Sequence, residues 1–323
     1  MNNFIKEVRA VNAKFVRRDF RFSGKDRKSI CAYSWDGIEQ IRGIVQIFHG
    51  MSEHALRYQD FAFFLNGNGF AVFANDHRGH GKTAGNTDEL GVIGKDGFNM
   101  IVEDEYVLFR IIKEKYPDKP VFVFGHSFGS FVAQEYITRY GEEIAGVVLS
   151  GSAMQKGIDI SLGRRLASVQ RKLFGEEKKA YLLSSLSFGT YNRRIPGAKH
   201  KFAWLSTDDE EVVKYEQDPY CGAVASIGFY YYMLKAFEEL YSESKLSGIP
   251  SDLPILILSG EEDPVGVYGK KVKKLYNLYQ KHGLLNVGLK LYPGMRHEIL
   301  NERNRDKVYA DILDWLVAHA EAL

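Results

Sequence analysis

The stretch Val121-Phe122-Val123-Phe124-Gly125-His126-Ser127-Phe128-Gly129-Ser130 decides the fold of this 323-residue chain. Its first four residues are apolar and rich in aromatic and β-branched types, which predicts a buried strand. The residues from 131 to 137 predict a helix. The Gly-x-Ser-x-Gly pattern between them predicts a sharp strand-to-helix turn that strains Ser127 and exposes its hydroxyl group. Gly125 and Gly129 leave room for the strand and helix to approach each other.

This turn has two interpretations. Gly-x-Ser-x-Gly alone is a weak pattern, because a glycine-rich turn with a helix-capping serine has the same letters. The strand before it and the helix after it favour a nucleophilic serine instead. The N-terminus of that helix offers unpaired N–H groups and a positive dipole end to a developing oxyanion. Ser127 is therefore the candidate nucleophile.

The rest of the chain repeats the alternation of short apolar strands and helices. Strands are predicted at 43–48, 70–75, 144–151, 254–260 and 287–292, with helical patterns between most of them. This order predicts an α/β fold with a mainly parallel sheet flanked by helices. Runs 14–22 and 29–35 predict an N-terminal hairpin at the sheet edge. Residues 154–250 lack a convincing buried strand, so we expect a helical cap inserted between core segments 1–153 and 251–323.

Composition limits the classes of function. The chain has 43 Lys and Arg against 41 Asp and Glu, a net charge of +2, so bulk charge favours neither a nucleic-acid partner nor a strongly acidic one, and we expect no nucleic-acid partner. Two cysteines, Cys31 and Cys221, are too few for a disulfide scaffold and fit a reducing compartment. The first nine residues lack a signal-peptide pattern, and no segment is apolar for long enough to cross a bilayer. We therefore expect a cytoplasmic protein, with peripheral membrane contact left open and the oligomeric state undetermined.

A serine nucleophile needs a base, and the base needs an orienting carboxylate. In this topology the order along the chain is serine, then acid, then histidine, each after a strand. The strand at 254–260 leads into Glu261, Glu262 and Asp263. We prefer Asp263, because the proline that follows it restricts its backbone, with Glu262 as the alternative. The strand at 287–292 leads to His297, whose alternative role is to cap the last helix.

These residues define a chemical mechanism. Asp263 would hold the His297 tautomer whose free nitrogen faces Ser127, and His297 would take the serine proton during attack on an acyl carbonyl. An acyl-enzyme would form and then be hydrolysed by water. The backbone N–H groups of Phe128 and Met51 are the expected oxyanion donors.

With these motifs in place, the chain resembles the α/β-hydrolase superfamily, and within it the monoacylglycerol lipase and bacterial lysophospholipase group. The resemblance rests on His49-Gly50-Met51-Ser52-Glu53-His54, Asp76-His77-Arg78-Gly79-His80-Gly81, Gly125-His126-Ser127-Phe128-Gly129, Gly260-Glu261-Glu262-Asp263-Pro264-Val265 and Tyr292-Pro293-Gly294-Met295-Arg296-His297-Glu298. It covers about residues 12–151 and 252–320. It implies Ser127, Asp263 and His297 as the triad, Met51 and Phe128 as oxyanion donors, no metal or other cofactor, and a cap over the active site.

The expected cap is rich in aromatic residues. Most must form its own small core, and we expect a subset, such as Phe229, Tyr232 and Met233, to line an apolar tunnel for an acyl chain. Glu53 is a candidate contact for a polar head group, although an ion pair with Arg57 is the alternative.

Two further groups of residues have competing interpretations. A basic cluster on a predicted cap helix is either a solvated face or a contact for anionic lipid, because apolar residues lie beside it. It consists of Arg164, Arg165, Arg171 and Lys172, with Leu166, Val169 and Leu173 nearby. Asp76, His77 and His80, with His49 and His126, lack zinc-type spacing, so we predict no metal site there.

Four functions follow from these patterns. The favoured one is hydrolysis of a single-chain lipid ester, either a monoacylglycerol or a lysophospholipid. The alternatives are a small-ester carboxylesterase, a peptidase of the proline iminopeptidase type, and a non-catalytic ligand-binding protein on the same scaffold. The peptidase type usually has tryptophan after the nucleophile, whereas Phe128 occupies that position.

Overall fold

Eight strands form one sheet in residues 16–321, the part of the chain that the computed structural model describes. Lys14 and Phe15 of the first predicted strand lie outside this part. The strands are β1 (Arg18–Ser23), β2 (Ser29–Trp35), β3 (Gly43–Phe48), β4 (Phe70–Asn75), β5 (Val121–His126), β6 (Gly146–Ser150), β7 (Ile255–Gly260) and β8 (Val287–Tyr292).

The sheet has the order β1-β2-β4-β3-β5-β6-β7-β8. Strands β3 to β8 pair in parallel, whereas β1–β2 and β2–β4 are antiparallel. All residues of β3, β4 and β5 are buried, as expected for strands covered by helices on both faces. The predicted α/β class, mainly parallel sheet and edge hairpin are confirmed.

The helices lie between and after these strands. The α-helices are α1 (Gln59–Gly67), α2 (Gly97–Lys115), α3 (Phe128–Tyr140), α4 (Ile158–Phe174), α5 (Tyr181–Phe188), α6 (Asp209–Gln217), α7 (Ile227–Leu240), α8 (Glu243–Leu246), α9 (Lys270–Lys281) and α10 (Arg305–Ala320). Short 3₁₀ helices occur at Ala55–Tyr58, Gly81–Thr83, Gly141–Glu143, Tyr191–Arg194, Ala203–Leu205 and Ile299–Asn301.

Helices α4 to α8 belong to the segment between β6 and β7, hereafter the insertion (residues 154–250). Helix α7 packs against α4 and also against α2, which lies earlier in the chain. The ring of Phe237 on α7 lies 4.7 Å from that of Phe131 on α3. The insertion therefore shares a continuous apolar core with the elements beside the sheet.

The carboxyl ends of β3, β5, β7 and β8 lie at one edge of the sheet, because these strands run in the same direction. Ser127, Asp263 and His297 all follow such strand ends. This is the edge at which open α/β sheets bind ligands. Among the helices of residues 16–321, none is long and apolar enough to span a membrane.

Candidate active site

Ser127 occupies the turn between β5 and α3 with φ of 51° and ψ of −119°. This positive φ is unusual for a residue other than glycine and marks backbone strain. The neighbouring glycines are required by space, because a Cβ on Gly125 would lie 2.6 Å from the Gly129 carbonyl oxygen. A Cβ on Gly129 would clash with the Phe48 carbonyl oxygen of β3. The predicted sharp turn is therefore present.

His297 and Asp263 form a buried pair. The Nδ1 atom of His297 lies 2.9 Å from Oδ2 of Asp263, and both side chains are almost fully buried. The other oxygen of Asp263 accepts the backbone N–H of Val265 at 2.8 Å, which fixes the carboxylate in direction. Burial opposes protonation of His297, but the Asp263 carboxylate outweighs it and raises the pKa of the imidazole. This geometry favours Asp263 over Glu262 as the carboxylate that orients His297.

Ser127 and His297 line one cavity of about 730 Å³. The cavity is therefore the space in which the hydroxyl and the imidazole can meet an acyl group.

Two residues that the sequence did not single out shape the position of His297. Gly151 has φ of 57°, and a Cβ there would lie 2.9 Å from Cε1 of His297. The ring of Trp204, from the insertion, lies 5.1 Å from the imidazole ring.

Met51 and Phe128 line the same cavity as Ser127. Phe128 is the first residue of α3, where backbone N–H groups have no intrahelical acceptor. Met51 follows Gly50, whose N–H donates to Oε1 of Glu53 at 2.5 Å. The loop after β3 and the start of α3 are thus brought together around Ser127.

Glu53 lines the cavity, but its oxygens already have partners. Tyr58 donates its hydroxyl to Oε1 at 2.7 Å, and Arg57 donates to Oε2 at 2.6 Å. Arg57 also forms a bidentate pair with Glu298 at 2.6 and 2.7 Å. Burial opposes ionisation of Glu298, yet Arg57 lowers the pKa of that carboxyl group to about 2. Glu53 therefore forms the ion pair with Arg57 that was its alternative role, and because it also lines the cavity its head-group contact stays a prediction.

The cavity wall from the insertion is mostly apolar. Its large lining side chains include Ile160, Leu162, Leu166, Leu183, Leu186, Phe188, Tyr191, Phe202, Trp204, Leu205, Tyr215, Tyr230, Met233, Leu234 and Phe237. Polar groups of the insertion at this wall include Gln155, Asp159 and Lys201, and Lys271 of α9 donates to Gln155 at 2.9 Å. Such a combination of apolar walls and few polar groups is typical of a small-molecule site.

Of the three predicted lining residues, only Met233 lines the cavity. Phe229 is fully buried behind Phe128, with ring centres 4.8 Å apart. Tyr232 points away and donates its hydroxyl to Glu176 at 3.1 Å. Successive residues of a helix differ by about 100° in direction. The face of α7 toward the cavity carries positions 230, 233, 234 and 237, so the predictions for Phe229 and Tyr232 were wrong.

Two residues of the basic cluster on α4 form ion pairs, and the other two are exposed. Arg164 pairs with Glu238 at 2.5 Å, and Arg171 pairs with Glu176 at 3.0 Å and lies over the ring of Tyr231. Arg165 and Lys172 are exposed. Val169 and Leu173 are also exposed, whereas Leu166 faces the cavity.

One group in the described residues places three potential metal ligands close together. The donor atoms of His54, Asp218 and Cys221 all lie within 4.8 Å of one another. Nε2 of His54 already bonds to Asp218 at 2.9 Å, and burial raises the pKa of the Cys221 thiol. A metal would therefore have to displace the hydrogen bond between His54 and Asp218 and also deprotonate the Cys221 thiol, whose pKa is raised. We therefore assign these residues to the packing contact between His54 and the insertion.

The fold and site geometry define an α/β-hydrolase. Residues 39–304 match the family model described as serine aminopeptidase, S33. The chain therefore belongs to this family of α/β-hydrolases, and it is similar to proteins named monoacylglycerol lipase.

Known relatives cover nearly the whole chain. A monoacylglycerol lipase of Mycolicibacterium smegmatis is 29% identical over 94% of this chain and 98% of its own length. A phospholipase of Bacillus subtilis is 26% identical over 86% of this chain and 95% of its own. A carboxyl esterase from Bacillus coagulans, solved in complex with glycerol, superimposes with a TM-score of 0.87 and 31% identity, covering 94% of this chain and 99% of that one.

Proposed function

We propose that this hydrolase cleaves carboxylic esters of single-chain lipids through an acyl-enzyme, with Ser127, Asp263 and His297 as its catalytic triad. The observation that carries the proposal is the common cavity: Ser127 and His297 open into a mostly apolar space of about 730 Å³. That volume lies in the range of sites that enclose a drug-sized ligand. Residues 154–250 act as the cap that closes this space.

The reaction has two halves. His297 takes the proton of the Ser127 hydroxyl while the oxygen of Ser127 bonds to the ester carbonyl carbon. The oxyanion accepts hydrogen bonds from the N–H groups of Met51 and Phe128. His297 then gives the proton to the leaving alcohol, the carbon–oxygen ester bond breaks, and the acyl group stays on Ser127. Water, activated by His297, releases the fatty acid.

The choice of head group rests on the relatives. One is named a monoacylglycerol lipase and another a phospholipase, so glycerol and a glycerophosphate diester are the two candidates. We favour the monoacylglycerol, because that relative covers a larger share of both chains. A lysophospholipid is the second candidate.

Hydrolysis by the purified protein tests this function. We would compare monoacylglycerols of increasing chain length with matched lysophospholipids, and label Ser127 with a fluorophosphonate. We expect labelling, loss of both labelling and hydrolysis in Ser127→Ala, and higher kcat/KM for medium and long chains. A maximum at acetyl or butyryl esters would instead indicate a small-ester esterase. Cleavage of proline amides alone would indicate a peptidase, and absence of labelling would indicate a non-catalytic protein.

We also propose that the cap contacts an anionic membrane surface. On α4, Ile158, Leu162, Val169 and Leu173 expose 78, 57, 54 and 69% of their surface. Arg165 and Lys172 are also exposed, and they occur at the same helical spacing as these four apolar residues. On α5, Tyr181, Leu182 and Leu186 are also more than half exposed. Leu162 and Leu186 line the cavity too, so this surface borders its entrance.

A further inference from the structure

His49 is a fully buried residue that the proposed reaction does not use. It follows β3 and immediately precedes the loop that carries Met51. Its ring lies 4.0 Å from that of His77 and 5.1 Å from that of His80. Burial and these neighbouring imidazoles lower the pKa of His49 well below its usual value. His49 is therefore neutral, with one ring nitrogen donating and the other accepting.

The hydrogen bonds decide which nitrogen carries the proton. Nε2 of His49 lies 2.9 Å from the backbone nitrogen of His77, whose N–H can only donate. Nε2 is therefore the acceptor, and Nδ1 carries the proton. Nδ1 lies 2.8 Å from the Gly50 carbonyl oxygen, which can only accept. Both contacts agree on the Nδ1–H tautomer.

His77 is itself held in place by a buried acid. Its Nε2 lies 3.0 Å from the His49 carbonyl oxygen, and its Nδ1 lies 3.0 Å from Oε1 of Glu105. The His49 carbonyl oxygen can only accept, so Nε2 of His77 is the donor of that hydrogen bond. Gln46 donates to the other oxygen of Glu105 at 2.8 Å. The His77 ring and backbone are thus fixed beneath His49.

The hydrogen bond to Gly50 determines the direction of the next N–H group. In a trans peptide the carbonyl and the following N–H lie in one plane and point in opposite directions. The described residues contain no cis peptide bond. Because the Gly50 carbonyl points to His49, the Met51 N–H of the same peptide points away from it. Ser127 lies close by, since a Cβ on Gly50 would be 3.3 Å from Cβ of Ser127.

We infer that His49 is a positioning residue for the oxyanion hole: its Nδ1–H bond to the Gly50 carbonyl orients the Met51 N–H toward the reacting carbonyl. This inference rests on the proposed function, in which Met51 is an oxyanion donor. Glu53 holds the other side of Gly50 by accepting its N–H. The peptide between residues 50 and 51 is therefore fixed before substrate binds, and its N–H needs no reorientation during the reaction.

Two substitutions separate the two nitrogens of His49. In His49→Asn the side-chain amide nitrogen can replace Nδ1 and donate to Gly50. In His49→Gln the side-chain carbonyl oxygen can replace Nε2 and accept from His77, but the donor to Gly50 is lost. Removal of one oxyanion donor lowers kcat about 100- to 1,000-fold. We expect a loss of that size in His49→Gln with KM nearly unchanged, and a loss of less than about tenfold in His49→Asn.

The affinity for an alkylboronic acid, which forms a tetrahedral adduct with serine, provides the second readout. In His49→Gln it should fall in proportion to kcat, whereas a merely structural defect would change KM and the melting temperature instead. Equal kcat in His49→Gln and wild type would overturn the inference. So would a larger loss in His49→Asn than in His49→Gln.

Nitrogen-15 NMR of the wild-type imidazole keeps the test decisive if the variants do not fold. Protonation at Nδ1 of His49 supports the inference, and protonation at Nε2 overturns it. Failure of the proposed function has a different signature. In that case the wild-type protein would neither hydrolyse esters nor react with a fluorophosphonate, whatever tautomer His49 adopts.

Discussion

The two walls of the cavity are held by different forces. The wall at the sheet edge is fixed by directional hydrogen bonds between buried polar groups, such as the 2.9 Å bond between His297 and Asp263. The wall from the insertion consists mostly of apolar side chains, some of them, such as Leu162 and Leu186, more than half exposed. A substitution at the first wall therefore displaces a reacting atom or leaves a buried charge. A substitution at the second changes only space and apolar contact.

The largest effect is expected at Asp263. In wild type the Asp263 carboxylate raises the pKa of His297. The neutral base therefore becomes available as pH rises through a value above the usual 6.5. Asp263→Asn removes that charge while burial remains, so the pKa of His297 should fall and the acid limb of the pH profile should move to lower pH. We expect kcat to fall about 10⁴-fold, measured with a soluble ester from pH 5 upward.

Glu262 supplies the control for Asp263. It is the neighbouring carboxylate, its side chain is 55% exposed, and its nearest cation is Arg296 at 4.0 Å. Glu262→Gln should leave both kcat and the pH profile unchanged. A loss in Glu262→Gln equal to that in Asp263→Asn would mean that the acid of the triad is wrongly assigned.

The second prediction concerns stability at the sheet-edge wall. Arg57→Met leaves the carboxylates of Glu53 and Glu298 buried without their cation, and removal of one partner of a buried pair costs about 3–5 kcal/mol. We expect that loss in the free energy of unfolding, measured with urea at pH 7. The matched control is Lys214→Gln, because the Lys214 side chain is 67% exposed and its ion pair with Glu211 should contribute less than about 1 kcal/mol.

The pH dependence sharpens this prediction. The pKa of Glu298 is about 2 in the folded protein, below its usual value. Its ionised form therefore stabilises the wild-type fold above the usual carboxyl pKa, and this contribution is lost as pH falls toward 2. In Arg57→Met the ionised Glu298 carboxylate no longer stabilises the fold. The difference in the free energy of unfolding between Arg57→Met and wild type should therefore narrow as pH falls below about 4.5. A constant difference across this range would contradict the role given to Arg57.

Local sequence patterns were enough to predict that the loops carrying Ser127, Asp263 and His297 lie at one edge of the sheet. Buried strands have recognisable apolar runs, and parallel strands bring their carboxyl ends to one edge of the sheet. The sequence therefore predicts that the loops after β5, β7 and β8 lie close together. The same reasoning could not find the bond between Arg57 and Glu298, which are separated by 241 residues. Nothing in the local pattern of either residue specifies the other.

The orientation of α7 about its own axis is the second feature that the sequence did not predict. The sequence of this helix is apolar on most sides, because one face packs on the core and another lines the cavity. Composition alone therefore did not determine which residues face the ligand, and the prediction selected Phe229 and Tyr232 on the wrong faces. A similar limit applies to Trp204, which contacts His297 only because the insertion folds back over the sheet edge.

The third prediction tests the insertion wall. Met233→Trp adds bulk to the cavity, so we expect kcat/KM for long-chain esters to fall about 10- to 100-fold, while short esters are hydrolysed as by wild type. Tyr232→Phe, one residue away and outside the cavity, should change neither value. Equal losses for short and long esters in Met233→Trp would indicate that the helix had shifted against Ser127 rather than that the acyl-chain space had been reduced.

The smallest effect is expected at the outer surface of the same wall. Leu173→Glu places a negative charge in the exposed apolar surface of α4, and we expect about tenfold weaker binding to vesicles that contain anionic lipid. Leu285→Glu is the matched control, because Leu285 is 75% exposed but lies before β8, at the opposite edge of the sheet. Both variants should hydrolyse a water-dissolved ester at the wild-type rate. Equal vesicle binding by the two variants would remove the membrane role from the cap and leave its apolar surface unassigned.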